Sequence, residues 1–289
     1  IRGALFVIDL FYNGMIAVML LLWVMGARAR KFGRIVALLK ARGPIIAVFL
    51  WAVFLVFAGW YLLNFDHFAE IHDIDDAVDA AVTNTNDGVN AYEEYVIPRF
   101  KGRYTADVEW ALGPYNYMPL DLFVYVGAKA VLGALGSPEW FAAANLVFTG
   151  LAMVMLRDIV RTRWMSFAPL AGTVMLFYSM DNASLTLLLM TASVFAMHRS
   201  RWHPEALALV LMGLAVLTKV YAAIPFLVML LYLVQSSYSA REWRRLTGVI
   251  AAAGLSAAVA VIVMLPFGIS NVLDAAVFFH TSADARAET

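Results

Sequence analysis

The sequence predicts an all-α polytopic membrane protein, with about eight transmembrane helices and an outer loop carrying juxtamembrane helices. Three observations predict it. Hydrophobic residues make up 63% of the 289 residues, charged residues only 15%, and mean hydropathy is +0.76, outside the range of ordinary soluble domains. Apolar runs long enough to cross a bilayer recur along the chain. The charges are sorted by sign, with bases in short clusters between apolar runs and acids gathered in one loop. Twenty-one bases balance twenty-one acids, so this separation is informative and the net charge is not. The absence of cysteine excludes disulfides and thiolate metal ligands.

The elements follow in order. Ala4–Gly26 and Pro44–Phe65 each suffice to cross a hydrocarbon layer of about 30 Å at about 1.5 Å per residue. Ala4–Gly26 is too long and too weakly basic at its front for a secretory signal, so it reads as a span. Further apolar segments are Met118–Leu135, Trp140–Leu156, Phe167–Ser179, Ala183–Met197, Pro204–Thr218, Tyr221–Gln235 and Gly248–Phe267. The four between 167 and 235 run only 13 to 15 residues and are expected to form two short hairpins. The chain begins at Ile1 and is expected to be a piece of a longer protein.

Orientation follows from the bases. Fourteen of the 21 fall in four clusters: Arg28 to Arg42, Arg157 to Arg163, Arg199 with Arg201, and Arg241 to Arg245. All are expected to be cytoplasmic. Parity then requires that one segment between Arg42 and Arg157 does not cross. Met118–Leu135 is that segment, because Asp121 and Lys129 would cost roughly 5–7 kcal/mol together at the bilayer centre. Laid flat at the outer interface, this helix is expected to keep both charges wet. Residues 66–139, Asp181-Asn182 and Lys219 then converge on the extracytoplasmic face.

The loop from Asp66 to Tyr117 holds eleven acids against three bases, Arg99, Lys101 and Arg103. Apolar spacing predicts helices over Ile71–Val82 and Val89–Phe100, with a turn at Thr83 to Gly88 between them. An aromatic run follows, Tyr104, Trp110, Tyr115 and Tyr117, at headgroup depth.

The segments Asn86-Asp87-Gly88-Val89-Asn90-Ala91-Tyr92, Lys101-Gly102-Arg103-Tyr104 and Tyr115-Asn116-Tyr117-Met118-Pro119-Leu120 resemble the GT-C superfamily of integral-membrane glycosyltransferases. Asp181-Asn182 and Thr218 to Ala222 resemble that superfamily's later outer-face positions, and Phe279 to Ser282 its re-entry to a further loop. The likeness covers roughly residues 44–282, and Met118 stands where the family more often has a second proline. It implies a GT-C-like transmembrane module over 44–289, preceded in 1–43 by an extra transmembrane helix and a basic cytoplasmic loop. The implied activity is an inverting hexosyl transfer of a mannose-like sugar from a polyprenyl-phosphate donor. The acceptor would be a glycan, lipid or protein at the outer face of a prokaryotic cell membrane, with membrane lipids as neighbours and no nucleic-acid partner.

In such enzymes a carboxylate deprotonates the acceptor hydroxyl as lipid phosphate leaves. The resemblance makes Asp87 that base; its structural alternative is an N-cap on a helix starting near Val89. Asp76 is the alternative base, although an acid in a first helical turn also suits the helix dipole. Asp181 either touches substrate beside Asn182 or simply makes a turn with it. Lys219, among apolar residues, either snorkels or meets the lipid phosphate; Arg99, Lys101 and Arg103 either complete a clamp or merely offset the neighbouring acids. Tyr92, Tyr115 and Tyr117 are further substrate-binding candidates. No cofactor or metal is assigned; a divalent cation (Mg or Mn) on Asp73 and Asp75 is the alternative. The competing functions are a secondary transporter using Asp9, Asp121, Lys129 and Lys219, and a membrane scaffold recruiting a partner through its acidic loop.

Overall fold

The computed structural model describes residues 51–56, 58–60, 74–93, 97–101, 109–136, 140–159, 183–200 and 203–278. The expected spans Ala4–Gly26 and Phe167–Ser179, and most of Pro44–Phe65, lie outside the described residues, although 51–56 and 58–60 are helical. The described chain is mostly helical.

Helix α1 (Ile74–Asn86) puts Ala77, Val78, Ala81 and Val82 on one buried face, the spacing of an amphipathic helix. It runs through Thr83 to Asn86, where the sequence predicts a turn, and the Thr85 hydroxyl bonds back to the Ala81 carbonyl at 2.7 Å. Gly88, at φ +76°, ends it. The Val89 and Gly88 amides return to the Asn84 and Thr85 carbonyls at 2.7 and 3.2 Å, a Schellman closure with Asp87 at the C-cap.

The helix expected over Val89–Phe100 does not form. Residues 89–93 turn, and β1 (Ile97–Lys101) pairs antiparallel with β2 (Glu109–Gly113), Phe100 opposite Trp110 and Lys101 opposite Glu109. Pro98 is the physical reason, since it lacks the amide a helix interior needs and tolerates an edge strand. The expectation of a helical chain stands in its coarser form, and this two-stranded hairpin in the loop is the exception to it.

Helix α2 (Pro119–Ala134) starts with Pro at its first turn and packs on α1 and on α3 (Trp140–Ile159). Of its two charges only Lys129 keeps contact with water. Asp121 is fully buried, and Lys129 pairs with Asp79 of α1 at 2.6 Å. The Trp140 indole also donates to Asp79 at 3.1 Å, so one carboxylate ties α1, α2 and α3 together.

Next come α4 (Ser184–Arg199), α5 (Pro204–Val216), a 3-10 turn at Val220–Ala222, α6 (Ala223–Ser239) and α7 (Trp243–Met264). A 3-10 turn at Leu265–Phe267, the short α8 (Ile269–Leu273) and a π turn at Asp274–Phe278 complete the described chain. Tyr221–Gln235, expected as a short segment, belongs to a continuous Val220–Ser239 helix of 20 residues. This helix and Trp243–Phe267, of 25 residues, are long and apolar enough to cross a membrane. Only 17% and 22% of their most apolar stretches are buried, and Ile224, Val228, Leu231, Ile250 and Ile262 face outward.

The largest apolar cluster sits where α1, β1, α2 and α3 meet the loop end of the bundle, around Val78, Ile97, Tyr115, Leu122, Tyr125 and Phe141. A second cluster, Leu209, Leu233, Val249 and Ala252, joins α5, α6 and α7. The bundle ends differ chemically. Thr186 of α4 bonds Thr218 just beyond α5 at the loop end, at 2.8 Å. At the other end Glu205 of α5 accepts from Arg245 of α7, which also meets Glu242 at 3.0 Å.

Helices α5 and α7 touch through Gly213. A Cβ there would lie 2.6 Å from the Ser256 Cβ, a distance that side chains do not tolerate. Gly213→Ala is therefore expected to push the helices apart and lower stability by about 1–3 kcal/mol, the usual cost of overpacking. Detergent unfolding followed by tryptophan fluorescence measures this, and an unchanged midpoint would refute the close approach.

Candidate functional site

The site begins where two helix ends meet. A helix leaves its first amides and last carbonyls without internal partners. Here the Met118 and Leu120 amides, at the start of α2, donate to the Thr218 and Leu217 carbonyls after α5, at 3.2 and 3.0 Å. Pro119 between them has no amide to satisfy. Each end thus caps the other, and the junction brings Tyr117 beside Lys219.

The Lys219 Nζ lies 4.7 Å from the Tyr117 ring centre and 6.0 Å from that of Tyr221. Both distances are within cation–π range. Lys219 is half-buried and follows the C-terminus of α5, where a cation also complements the helix dipole.

Hydrogen bonds tie the rest of the loop to this point. The Asn90 side-chain amide donates to the Phe267 carbonyl at 2.9 Å, and its oxygen accepts from the Tyr92 amide at 3.0 Å. The Tyr115 amide reaches the Ala91 carbonyl at 2.8 Å. The Tyr92 hydroxyl donates to the Tyr117 carbonyl at 2.8 Å, and the Tyr115 hydroxyl to the Asp121 carboxylate at 2.7 Å. The three tyrosine rings stack edge-on, Tyr92 to Tyr115 at 5.8 Å and Tyr115 to Tyr117 at 5.3 Å. Burial first, and the Asp121 charge second, hold the Tyr92 and Tyr115 hydroxyls well above the ordinary phenol value of 10.0.

The structure brings together four of the sequence-predicted residues: Tyr92, Tyr115, Tyr117 and Lys219. Their roles differ from expectation. Tyr92 and Tyr115 are buried and cannot meet a substrate; they brace the loop. Tyr117 and Lys219 keep accessible surface. Asp87 is exposed at the C-cap of α1, three residues before Asn90, and caps no helix at Val89. Asp76 is exposed in the first turn of α1, where it complements the dipole. Eleven residues of helix separate Asp76 from Asp87, about 16 Å along the axis, so these two carboxylates do not converge. Lys101 occupies the β1 position opposite Glu109, and Asp75 the second position of α1. Asp73, Arg103, Asp181 and Asn182 lie outside the described residues. Among the described residues no group of three or more His, Asp or Glu is placed to hold a metal.

Sequence reasoning missed the anchoring role of Asp121. The signal was an acid four residues before Tyr125 on an otherwise apolar stripe, with Tyr115 just upstream. It also missed Asn90, whose role depends on a carbonyl 177 residues away. A third polar feature lies deeper. The buried Asn145 oxygen of α3 accepts from the Tyr125 hydroxyl at 2.8 Å and from Ser184 of α4, joining three helices.

The buried phenols make stability depend on pH in one direction. Their folded pKa values lie above the unfolded value, so their contribution is complete below pH 10.0 and is lost as pH rises past it. Alkaline unfolding is expected to begin above that value, and Tyr115→Phe is expected to be less stable at neutral pH but to lose stability less steeply in the alkaline range, because one buried phenol no longer titrates. Absorbance titration near 295 nm measures it; phenols that all titrate at the ordinary value in the folded protein would contradict the burial.

No protein-family model, curated protein or solved structure matches this chain.

Proposed function

We propose that this chain is an integral-membrane glycosyltransferase that moves a mannose-like sugar from a polyprenyl-phosphate donor to an acceptor at the outer face. The observation that carries the reading is the Lys219 ammonium, stacked on Tyr117 where the loop meets the bundle. A lipid-linked phosphate presents its charge at the same interface, and an ammonium on aromatic rings at a helix end is built to receive an anion. The outward apolar faces of Val220–Ser239 and Trp243–Phe267 support the membrane setting, since exposed apolar surface of that extent calls for lipid. In this reading about eight helices span the bilayer, the loop end faces outward, and the end with Arg241, Arg244 and Arg245 faces the cytoplasm.

Asp87 acts as the general base. It is solvent-exposed, and the Schellman turn fixes its backbone three residues from the Asn90 tether. It takes the acceptor hydroxyl proton as the oxygen attacks the anomeric carbon. The bond from that carbon to the phosphate oxygen breaks, and lipid phosphate leaves against Lys219. Tyr117 lines the approach.

The full chain in proteoliposomes, given a labelled polyprenyl-phosphate mannose and an acceptor extract, tests this. Asp87→Asn is expected to cut kcat by roughly 10²- to 10⁴-fold with little change in donor KM. Lys219→Ala is expected to raise donor KM about tenfold. A kcat untouched by Asp87→Asn removes that base, and no transfer from any lipid-linked sugar removes the whole reading. The buried Asp121 favours a second reading, a proton-coupled transporter. That one requires pH-driven solute uptake abolished by Asp121→Asn.

A further inference from the structure

We propose that Asp121 is a positioning residue for the Lys219 ammonium: its buried carboxylate anchors Tyr115, and Tyr115 with Tyr92 holds the Tyr117 ring beneath the lysine. The inference rests on Lys219 as the group that meets a phosphoryl oxygen, and it explains how a flexible side chain is held ready for that contact.

Asp121 has no exposed surface, so it cannot touch substrate, and a carboxylate is an expensive choice for a site that an apolar residue could fill. Its carboxylate accepts from the Tyr115 hydroxyl at 2.7 Å, a charge-assisted bond that fixes the ring. From Tyr115 the order passes on two routes. The ring meets Tyr117 at 5.3 Å, inclined by 70°. It also meets Tyr92 at 5.8 Å, and the Tyr92 hydroxyl holds the Tyr117 carbonyl. Tyr117 then carries the Lys219 Nζ at 4.7 Å.

Asp121 is also in the first turn of α2, the turn whose amides bond the carbonyls of Leu217 and Thr218. The aromatic stack and the lysine are therefore set against one frame from two sides. A lysine has four rotatable stem bonds, and stacking it in advance reduces what anion binding must order.

The ligand chemistry is a phosphate, from a lipid headgroup or from free phosphate. The full chain is labelled by reductive ¹³C-methylation, which keeps the lysine charge, and its Lys219 signal is assigned with Lys219→Arg. In detergent this signal is expected upfield of the other lysines because of the Tyr117 and Tyr221 ring currents. Tyr115→Phe and Asp121→Ala are expected to move it back and to weaken farnesyl phosphate binding about tenfold, titrated on the same signal. Asp121→Asn, which keeps an oxygen for the Tyr115 hydroxyl, is expected to retain both.

Inorganic phosphate is titrated in parallel. Tighter farnesyl phosphate identifies a lipid headgroup, and equal affinity identifies free phosphate; either supports the positioning role. Gly213→Ala serves as the control for general destabilisation, expected to lower the unfolding midpoint without moving the Lys219 signal. A signal that stays upfield in both Tyr115→Phe and Asp121→Ala, or that moves equally in Gly213→Ala, overturns the proposal. A wild-type signal that responds to the variants but to neither phosphate sinks the anion reading of Lys219 while upholding the positioning by Asp121.

Discussion

Two helix ends that satisfy each other hold the candidate site together. Unpaired backbone groups at a buried helix terminus cost about 1–3 kcal/mol each. Helix α2 could have met that cost with a side-chain cap, but Met118 offers none. The amides of Met118 and Leu120 go instead to the carbonyls of Thr218 and Leu217. This exchange joins a loop near residue 117 to a helix junction near residue 219, and no apolar contact would set their register so tightly. Lys219 over Tyr117, Thr186 on Thr218 and the packing of Tyr115 all depend on it.

A second constraint is the treatment of charge away from water. Asp121 and Lys129 stand eight residues apart on one apolar helix, and isolated charges there would be prohibitive. The fold compensates each separately, Asp121 with a phenol and Lys129 with Asp79. Because Asp79 and Lys129 are both partly exposed, their pair adds little stability; it orients α1 on α2 rather than holding it there. At the far end Arg245 of α7 meets Glu205 of α5 across the bundle and Glu242 three residues before it.

Elements with strong local signals were legible. Trp140–Leu156 and Gly248–Phe267 appear as helices close to their expected bounds, because an apolar run with few breakers has no competing local structure. The 3.6-residue period of Ile74, Val78 and Val82 likewise marked α1. Legibility failed at Val89–Phe100, where helical spacing of Val89, Tyr92 and Tyr95 competed with Gly88 and Pro98, and the punctuating residues won. It also failed at Asp121, because a rule that charges seek water ignores a hydroxyl supplied by the preceding loop.

What the sequence determined by itself is the apolar character of the helices, the sorting of bases away from the acidic loop, and the placing of an aromatic run and of Lys219 at the ends of apolar segments. These properties are local, set by side-chain transfer energies and by helix period. Only the tertiary structure decided which tyrosines keep accessible surface and which brace the loop, that Asp76 and Asp87 stand at opposite ends of one helix, and that Asp121 is buried against Tyr115. Those outcomes depend on hydrogen bonds such as Asn90 to Phe267, between groups far apart along the chain, whose pairing no local pattern encodes.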